Sequence, residues 1–452
     1  MQILPLLVLL LAIVSINCRK RHVVSLTPPP PFSLFMSDAL LIHEDRCILT
    51  GQFTIAVDAV QKCVNPQFTI RLFNENQVSL LKTLNNSLQV PFEIYSPTDD
   101  SVNLTTTIEV VMLYCNFSSS SVRDNELTTH LFNQPVYLTL NISREMFIKE
   151  KQQSMSVQCN YPAHWKLNKM KVNATTVDVL KGIRTDKNGK LGYYVNNFEF
   201  TNQTACEVPT NKETLCVVGC SHARVLQVLL HRLWKDSSCN EISYKNMFWA
   251  AKAPCRDKTP RIVYYHSVFV SDFQLIFPKL ENCSDLIVTY GQWDLFVGLY
   301  RKYVAQRNLT QSIESAHRPH IRSMIQNLST LQQARHIYVL SMNYVPLRKQ
   351  TIGVLNTDGG GEMPDWGISY NTPPNVDAFN HILSSEVSML NKQSSSNVSF
   401  YDMSDIVGPM WDSAMDFNHH NGIVGRVMAN KLVCSLYPPP LPSAATSSPS
   451  PS

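Results

Sequence analysis

The spacing of apolar residues changes once along this chain, near Cys206, and that change limits the folds open to it. Before it, apolar residues alternate with polar ones in three clear runs. These are Phe53, Ile55, Val57 and Ala59; Ile108, Val110, Met112 and Tyr114; and Val136, Leu138, Leu140 and Ile142. Successive side chains of a strand point to opposite faces, so a period of two predicts strands with one buried face. Several such runs, separated by polar stretches such as Ser96 to Ser101, predict a β-sandwich of immunoglobulin-like type over about residues 33–200. It holds few convergent catalytic residue types and reads as a spacer or binding module.

After Cys206 strands and helices alternate. Leu215 to Gly219 is a short buried strand, and Val225, Leu226, Leu229, Leu230 and Leu233 form a helical stripe along Ser221 to Trp234. Further strands are predicted at Arg261 to Phe269, Asp285 to Tyr290, His336 to Met342 and Val398 to Met403. Helices are predicted at Leu295 to Gln306, Gln311 to Gln333, Val376 to Leu390 and Gly422 to Leu436. This alternation predicts an α/β domain over residues 205–436, a parallel sheet covered on both faces with its functional loops at the carboxyl ends of the strands.

At 452 residues the chain has room for both domains and for tails. An apolar run from Ile3 to Ile16 followed by Arg19-Lys20-Arg21-His22 reads as a signal peptide over residues 1–18, being shorter than a membrane span. A short signal anchor is the alternative. Thr27-Pro28-Pro29-Pro30-Pro31 is a stiff spacer, and residues 437–452 form a Pro- and Ser-rich tail expected to be disordered. Asn-x-Ser/Thr sequons at Asn85, Asn103, Asn116, Asn141, Asn173, Asn202, Asn282, Asn308, Asn327 and Asn397 suit a glycosylated, secreted or lumenal chain.

Twelve cysteines point to the same oxidising compartment, and setting aside Cys18 at the edge of the signal leaves an odd number. Most are expected to pair, with one left over. Cys-x-x-Cys and His-x-x-x-His spacings are absent, so neither zinc nor any other metal or cofactor is expected. The net charge of +4 is small and unstriped, which argues against nucleic-acid binding.

The chemistry-bearing residues lie in the second domain. Ser221 follows Gly219-Cys220 where a strand turns into a helix, so its hydroxyl faces a helix N-terminus whose N–H groups can stabilise an oxyanion. A serine there also suits a simple helix cap. Just before the last helix stands Asp416-Phe417-Asn418-His419, a carboxylate and an imidazole three residues apart. A serine hydroxyl needs a base, and the base needs a group that orients it, so Ser221, His419 and Asp416 form one chemical unit. His420 competes with His419 for the role of base. His222 reads as a surface residue of the first helical turn, and Asp294 as a cap or a loop hydrogen-bond acceptor. The loop Asp358-Gly359-Gly360-Gly361-Glu362 reads as a surface turn.

This arrangement resembles the SGNH, or GDSL-like, hydrolase superfamily, which places its serine after the first strand of a flavodoxin-like sheet and Asp-x-x-His before the last helix. Within it, Gly219-Cys220-Ser221-His222-Ala223-Arg224 is similar to the Gly-Asp-Ser-x-x-Arg block of the PC-esterase group. That group includes neurexophilin-and-PC-esterase proteins and trichome-birefringence-like O-acetyltransferases. Tyr290-Gly291-Gln292-Trp293-Asp294 occupies the place of the family's third block. The resemblance implies a flavodoxin-like three-layer α/β/α domain behind an N-terminal β-sandwich. It implies a secreted serine acyl-esterase or O-acyltransferase acting on O-acetyl groups of a glycan or glycoprotein.

Three departures stand out. Cys220 replaces the block-one aspartate, no glycine lies between Gly219 and Gly291 to serve as block two, and the block-three asparagine is missing. Arg224, Gly291 and Gln292 are the remaining candidates for the oxyanion and substrate site, with the Ser221 N–H. The alternative implied by these departures is a catalytically impaired member acting as an extracellular binding module. An α/β-hydrolase elbow is disfavoured, because several αβ units precede that elbow and here the preceding residues read as all-β.

Overall fold

The computed structural model describes residues 32–36, 40–43, 48–57, 63–82, 88–95, 103–117, 136–143, 161–168, 198–201, 206, 213–233, 261–295, 309–344, 373–411, 419–420 and 422–438. The predicted signal peptide, the polyproline spacer, loop 358–362, Asp416, the tail beyond residue 438 and nearly all of the helix expected at 295–306 lie outside them.

Among the described residues the first ten elements are strands: β1 (Phe32–Met36), β2 (Leu41–His43), β3 (Ile48–Val57), β4 (Cys63–Phe73), β5 (Val78–Leu81), β6 (Gln89–Tyr95), β7 (Asn103–Phe117), β8 (Val136–Ser143), β9 (Trp165–Leu167) and β10 (Phe198–Phe200). They form two antiparallel sheets. In one, β3 pairs with β1 and β2 along one edge and with β6 along the other. The second has the order β10-β9-β5-β4-β7-β8.

The alternation of each strand decides where its side chains go. Ile70 and Leu72 of β4 and Ile108 and Val110 of β7 meet Phe53, Ile55, Val90 and Phe92 of the other sheet in one apolar cluster. The opposite face of the six-stranded sheet is buried as well, which the sequence reading did not anticipate. There Phe73, Val78, Trp165 and Phe198 join the core of the following unit. Thr69, Arg71, Thr107 and Glu109, which look solvent-facing in the pattern, are at most 3% exposed. Their polar character hid the second interface.

The second unit holds β11 (Thr214–Gly219), β12 (Arg261–His266), β13 (Asp285–Thr289), β14 (His336–Leu340) and β15 (Val398–Tyr401) in the order β12-β11-β13-β14-β15. All neighbours are parallel. This is the 2-1-3-4-5 order of one class of doubly wound sheet. The helices are α1 (Ser221–Leu233), α2 (Phe273–Ile276), α3 (Leu309–Ser329), α4 (Pro373–Gln393), α5 (Ser404–Val407) and α6 (Gly422–Leu436). Cys216, Val218, Leu286 and Val288 pack with residues of α3 and α4, whereas Leu215, Val217 and Ile287 pack with α1 and α6. Residues of odd and even number on one strand thus serve opposite helical layers, as a parallel sheet buried on both sides requires.

The run predicted as strand to Phe269 stops at His266, and a succession of 3₁₀ and α turns covers residues 270–282. Val270, Phe273, Ile276 and Leu280 are spaced at three and four residues, and all four are buried in the core. Disulfides join Cys206 to Cys434 and Cys216 to Cys283, while Cys220 is a free, buried thiol. No helix among the described residues is long and apolar enough to cross a membrane.

Candidate active site

The site begins with how closely two central strands approach. Gly219 ends β11 at φ 141°, and a Cβ there would lie 2.0 Å from the Thr289 carbonyl oxygen of β13. Any side chain would push these strands apart, so the turn into α1 depends on glycine. Beside it, the Tyr264 hydroxyl lies 3.3 Å from the Gly219 carbonyl, 3.1 Å from the Cys220 carbonyl and 2.8 Å from His266 Nδ1. The Ser267 N–H donates to the Gly219 oxygen at 2.9 Å. The turn is therefore held from β12 as well.

Ser221 opens α1 at the carboxyl end of the central strand, and its Oγ is buried with no hydrogen-bond partner of ordinary geometry among the described residues. It is not hydrogen-bonded to His419 in this conformation. The adjacent Cys220 thiol is pushed up to about 11 by burial, and Asp294 adds to the rise. The His222 N–H and the Ser221 hydroxyl partly offset it. A thiol so raised stays protonated near neutrality and is a poor nucleophile.

His419 and His420 precede α6 and are both 4% exposed. They reach α1 because α6 lies close against it: a Cβ on Gly425 would stand 2.6 Å from Leu229 Cδ1 and 2.6 Å from the His420 carbonyl oxygen. His420 Nε2 is 2.7 Å from the Tyr344 carbonyl oxygen, an acceptor that fixes Nε2 as the protonated nitrogen. That bond removes Nε2 of His420 from service as a base. The His419 ring instead packs on the ring of His222, with centroids 4.9 Å apart at 37°. His222 is 7% exposed, so the expectation of a surface residue is corrected. Its neighbour from the far end of the sequence covers it.

Of the expected oxyanion groups, Arg224 is half-buried three residues into α1, and its Nη2 has no hydrogen-bond partner among the described residues. Gly291 and Gln292 follow β13, but the Gly291 N–H and one of the two N–H groups of the Gln292 amide are engaged. The Gly291 N–H donates to Asp294 Oδ2 at 3.1 Å, and Gln292 Nε2 donates to the Asn343 carbonyl oxygen at 2.6 Å. Asp294 also accepts from the Val270 N–H at 3.0 Å; it stands in the helical turn that follows Gly291 and caps it, one of the two roles expected of it. Burial pushes its carboxyl up to about 7, against the pull of these two N–H groups.

Sequence reasoning missed Tyr264, the ring contact of His222, and Asn343. A cavity of about 20 Å³, on the scale of one water, lies between His222, Val225, Leu226, Leu229, Asn343, His420 and Met428. Among the sequons, Asn141 and Asn282 are exposed. The Asn397 amide donates to the carbonyl oxygens of Leu331 and Ala334, so a glycan on Nδ2, which leaves it one N–H, would break at least one of these bonds. Asn85, Asn173, Asn202 and Asn308 lie outside the described residues.

No known protein family is matched by the chain, and no curated protein matches it in sequence. Among solved structures it is similar to a gut microbial diltiazem-metabolizing enzyme at 11% identity and a TM-score of 0.29, over 50% of this chain and 47% of that one. The chain thus spans about half the length of that enzyme. A salicylyl-acyltransferase from a tetracycline biosynthetic pathway matches at 8% identity and a TM-score of 0.29, over 91% of this chain and 94% of the other. An aryl esterase of M. smegmatis matches at 10% identity and a TM-score of 0.27, over 50% and 98% respectively. Likeness at this level establishes neither a shared fold nor a shared activity. The α/β architecture rests on the strand pairing described above.

Proposed function

We propose that this chain is a serine-dependent acyl-ester hydrolase or O-acyltransferase of SGNH type, with its two antiparallel sheets forming an N-terminal β-sandwich. Ser221 attacks the acyl carbonyl. His419 takes the hydroxyl proton and later gives it to the leaving alcohol, and Asp416 orients His419. The observation that carries this reading is the packing of His419 against His222, which brings the proposed base to the residue beside the proposed nucleophile. The α1 N-terminus and Arg224 supply positive potential for the oxyanion. A secreted or lumenal location fits the two disulfides. An O-acetylated glycan or glycoprotein is the substrate class that follows from the family resemblance.

One observation favours a second reading, a binding module with impaired catalysis. Ser221 Oγ has no hydrogen-bond partner of ordinary geometry among the described residues, and the Gly291 N–H and one of the two N–H groups of the Gln292 amide are already committed. Losing one oxyanion donor costs about two to three decades in rate. The test is turnover of an activated acetate ester, with fluorophosphonate labelling, by the purified chain and by Ser221→Ala. The enzyme reading expects labelling and turnover that vanish in the variant. Equal rates with no labelling leave the binding module.

A further inference from the structure

The segment that leads into His419 is held by the N-terminal β unit as well as by its own, in which Ser341 Oγ accepts from the Met403 N–H at 2.8 Å and Lys431 pairs with Asp405 at 2.8 Å. After β15 the chain forms α5 (Ser404–Val407) and a 3₁₀ turn (Gly408–Met410), then reaches Trp411, eight residues before His419. The last carbonyls of such short helical turns have no intrahelical partner. Here two of them are met from another sheet. Trp165 of β9 donates Nε1–H to the Ile406 oxygen at 2.8 Å, and Arg71 of β4 donates from Nη1 to the Pro409 oxygen at 3.3 Å.

Arg71 cannot swing away. Its Nε and Nη2 donate to Glu109 Oε2 at 2.9 and 2.7 Å, from the position directly opposite on β7. Its guanidinium carbon lies 4.8 Å from the Phe73 ring centroid and 5.4 Å from that of Trp411. Arg71 and Glu109 are each 1% exposed and Trp165 is fully buried. Leu80 of β5 lies directly beneath Gly408, where a Cβ would come within 2.9 Å of Leu80 Cδ2. A buried ion pair adds little stability over apolar residues of similar volume, but it demands one geometry of its partners. Charges at this interface therefore specify position more than they add strength.

We propose that Arg71, Glu109 and Trp165 are positioning residues, a clamp on residues 404–411 that sets the placement of His419 against Ser221. On the other side, the His420 bond to Tyr344 fixes the chain where α6 begins, so His419 lies between two anchored points. This rests on the reading of His419 as the base. It makes the β-sandwich part of the active-site scaffold rather than a spacer.

The experiment uses the full chain with Arg71→Met/Glu109→Leu, which removes both charges so that neither is left buried alone, and separately Trp165→Phe, which deletes only the N–H. Phe53→Leu, in the cluster between the two antiparallel sheets, is the control. Amide hydrogen exchange is followed in peptides covering 403–411 and 419–424, alongside kcat and KM for an activated acetate ester. The clamp variants are expected to exchange on the order of tenfold faster at 419–424. Their kcat should fall about 10- to 100-fold with KM unchanged, the scale of a misplacement of about 1 Å. Phe53→Leu should leave both readouts at the wild-type level. Unchanged exchange at 419–424, an equal change in Phe53→Leu, or faster exchange with unaltered kcat each overturns the proposal. A wild type without turnover refutes the esterase reading alone, because the exchange measurement still decides the clamp.

Discussion

Asp294→Asn should change how the stability of this protein depends on pH. Asp294 is 3% exposed and its carboxyl is raised to about 7, first by burial and further by Asp272, with the N–H groups of Val270 and Gly291 opposing. In the unfolded chain an aspartate titrates near 3.9. The difference of about 3 units corresponds to roughly 4 kcal/mol at about 1.36 kcal/mol per unit. Below about pH 4 both states hold the proton, so the group contributes its full share. Between about 4 and 7 only the folded state holds it, and each unit of rising pH removes about 1.4 kcal/mol of stability. Above about 7 both states are ionised and the loss levels off. Asparagine does not titrate. Its amide faces one of the two N–H donors, an offset of about 1–3 kcal/mol that is the same at every pH. Urea unfolding of both proteins at half-unit steps from pH 4 to 8 should show the wild type losing about 2–3 kcal/mol relative to the variant as pH rises from 5 to 8. Curves that stay parallel within about 0.5 kcal/mol would refute the buried, neutral carboxyl.

Gly219→Ala places a Cβ 2.0 Å from the Thr289 oxygen at a φ of 141°, and should cost more than about 4 kcal/mol, read as a collapsed melting transition; a wild-type melt would contradict the close approach. Replacing Cys206 and Cys434 by alanine opens a link spanning 228 residues, worth about 5 kcal/mol by chain entropy. Thermal melts of the wild type and this variant, with and without reductant, should show that loss. Iodoacetamide at pH 8 should leave Cys220 unlabelled in the native chain and label it after denaturation, since burial holds the thiol up at about 11. Rapid native labelling would mean the thiol is accessible.

Local periodicity carries far in this sequence. The change from period two to alternating strands and helices near Cys206 corresponds to two antiparallel sheets followed by a parallel one, and Gly422–Leu436 is a helix with the expected ends. Ser221 stands where Gly219-x-Ser221 put it, between a strand and a helix, because β11 and α1 are set by apolar spacing and by the need for glycine beside Thr289. The sequence offered Asp294 as a cap or a loop acceptor, and it is a cap, standing in the helical turn at 292–295 and accepting from the Gly291 N–H.

What it could not carry depends on partners distant in the chain. The helical spacing of Val270, Phe273, Ile276 and Leu280 was hidden by the β-branched run before it, and packing against α3 resolves it. Arg71 and Glu109 look solvated because a charged residue at an alternating position usually is. Only the docking of the six-stranded sheet against residues 406–411 shows them to be buried and paired. His222 has the pattern of a surface position, and its ring is buried in part by His419, which α6 brings onto α1. The sequence by itself determined which strands and helices form and where a serine and a histidine enter them. The tertiary structure decided which donors remain available, which histidine packs on His222, and which sheet meets residues 406–411, since hydrogen bonds and ring contacts are satisfied by neighbours in space.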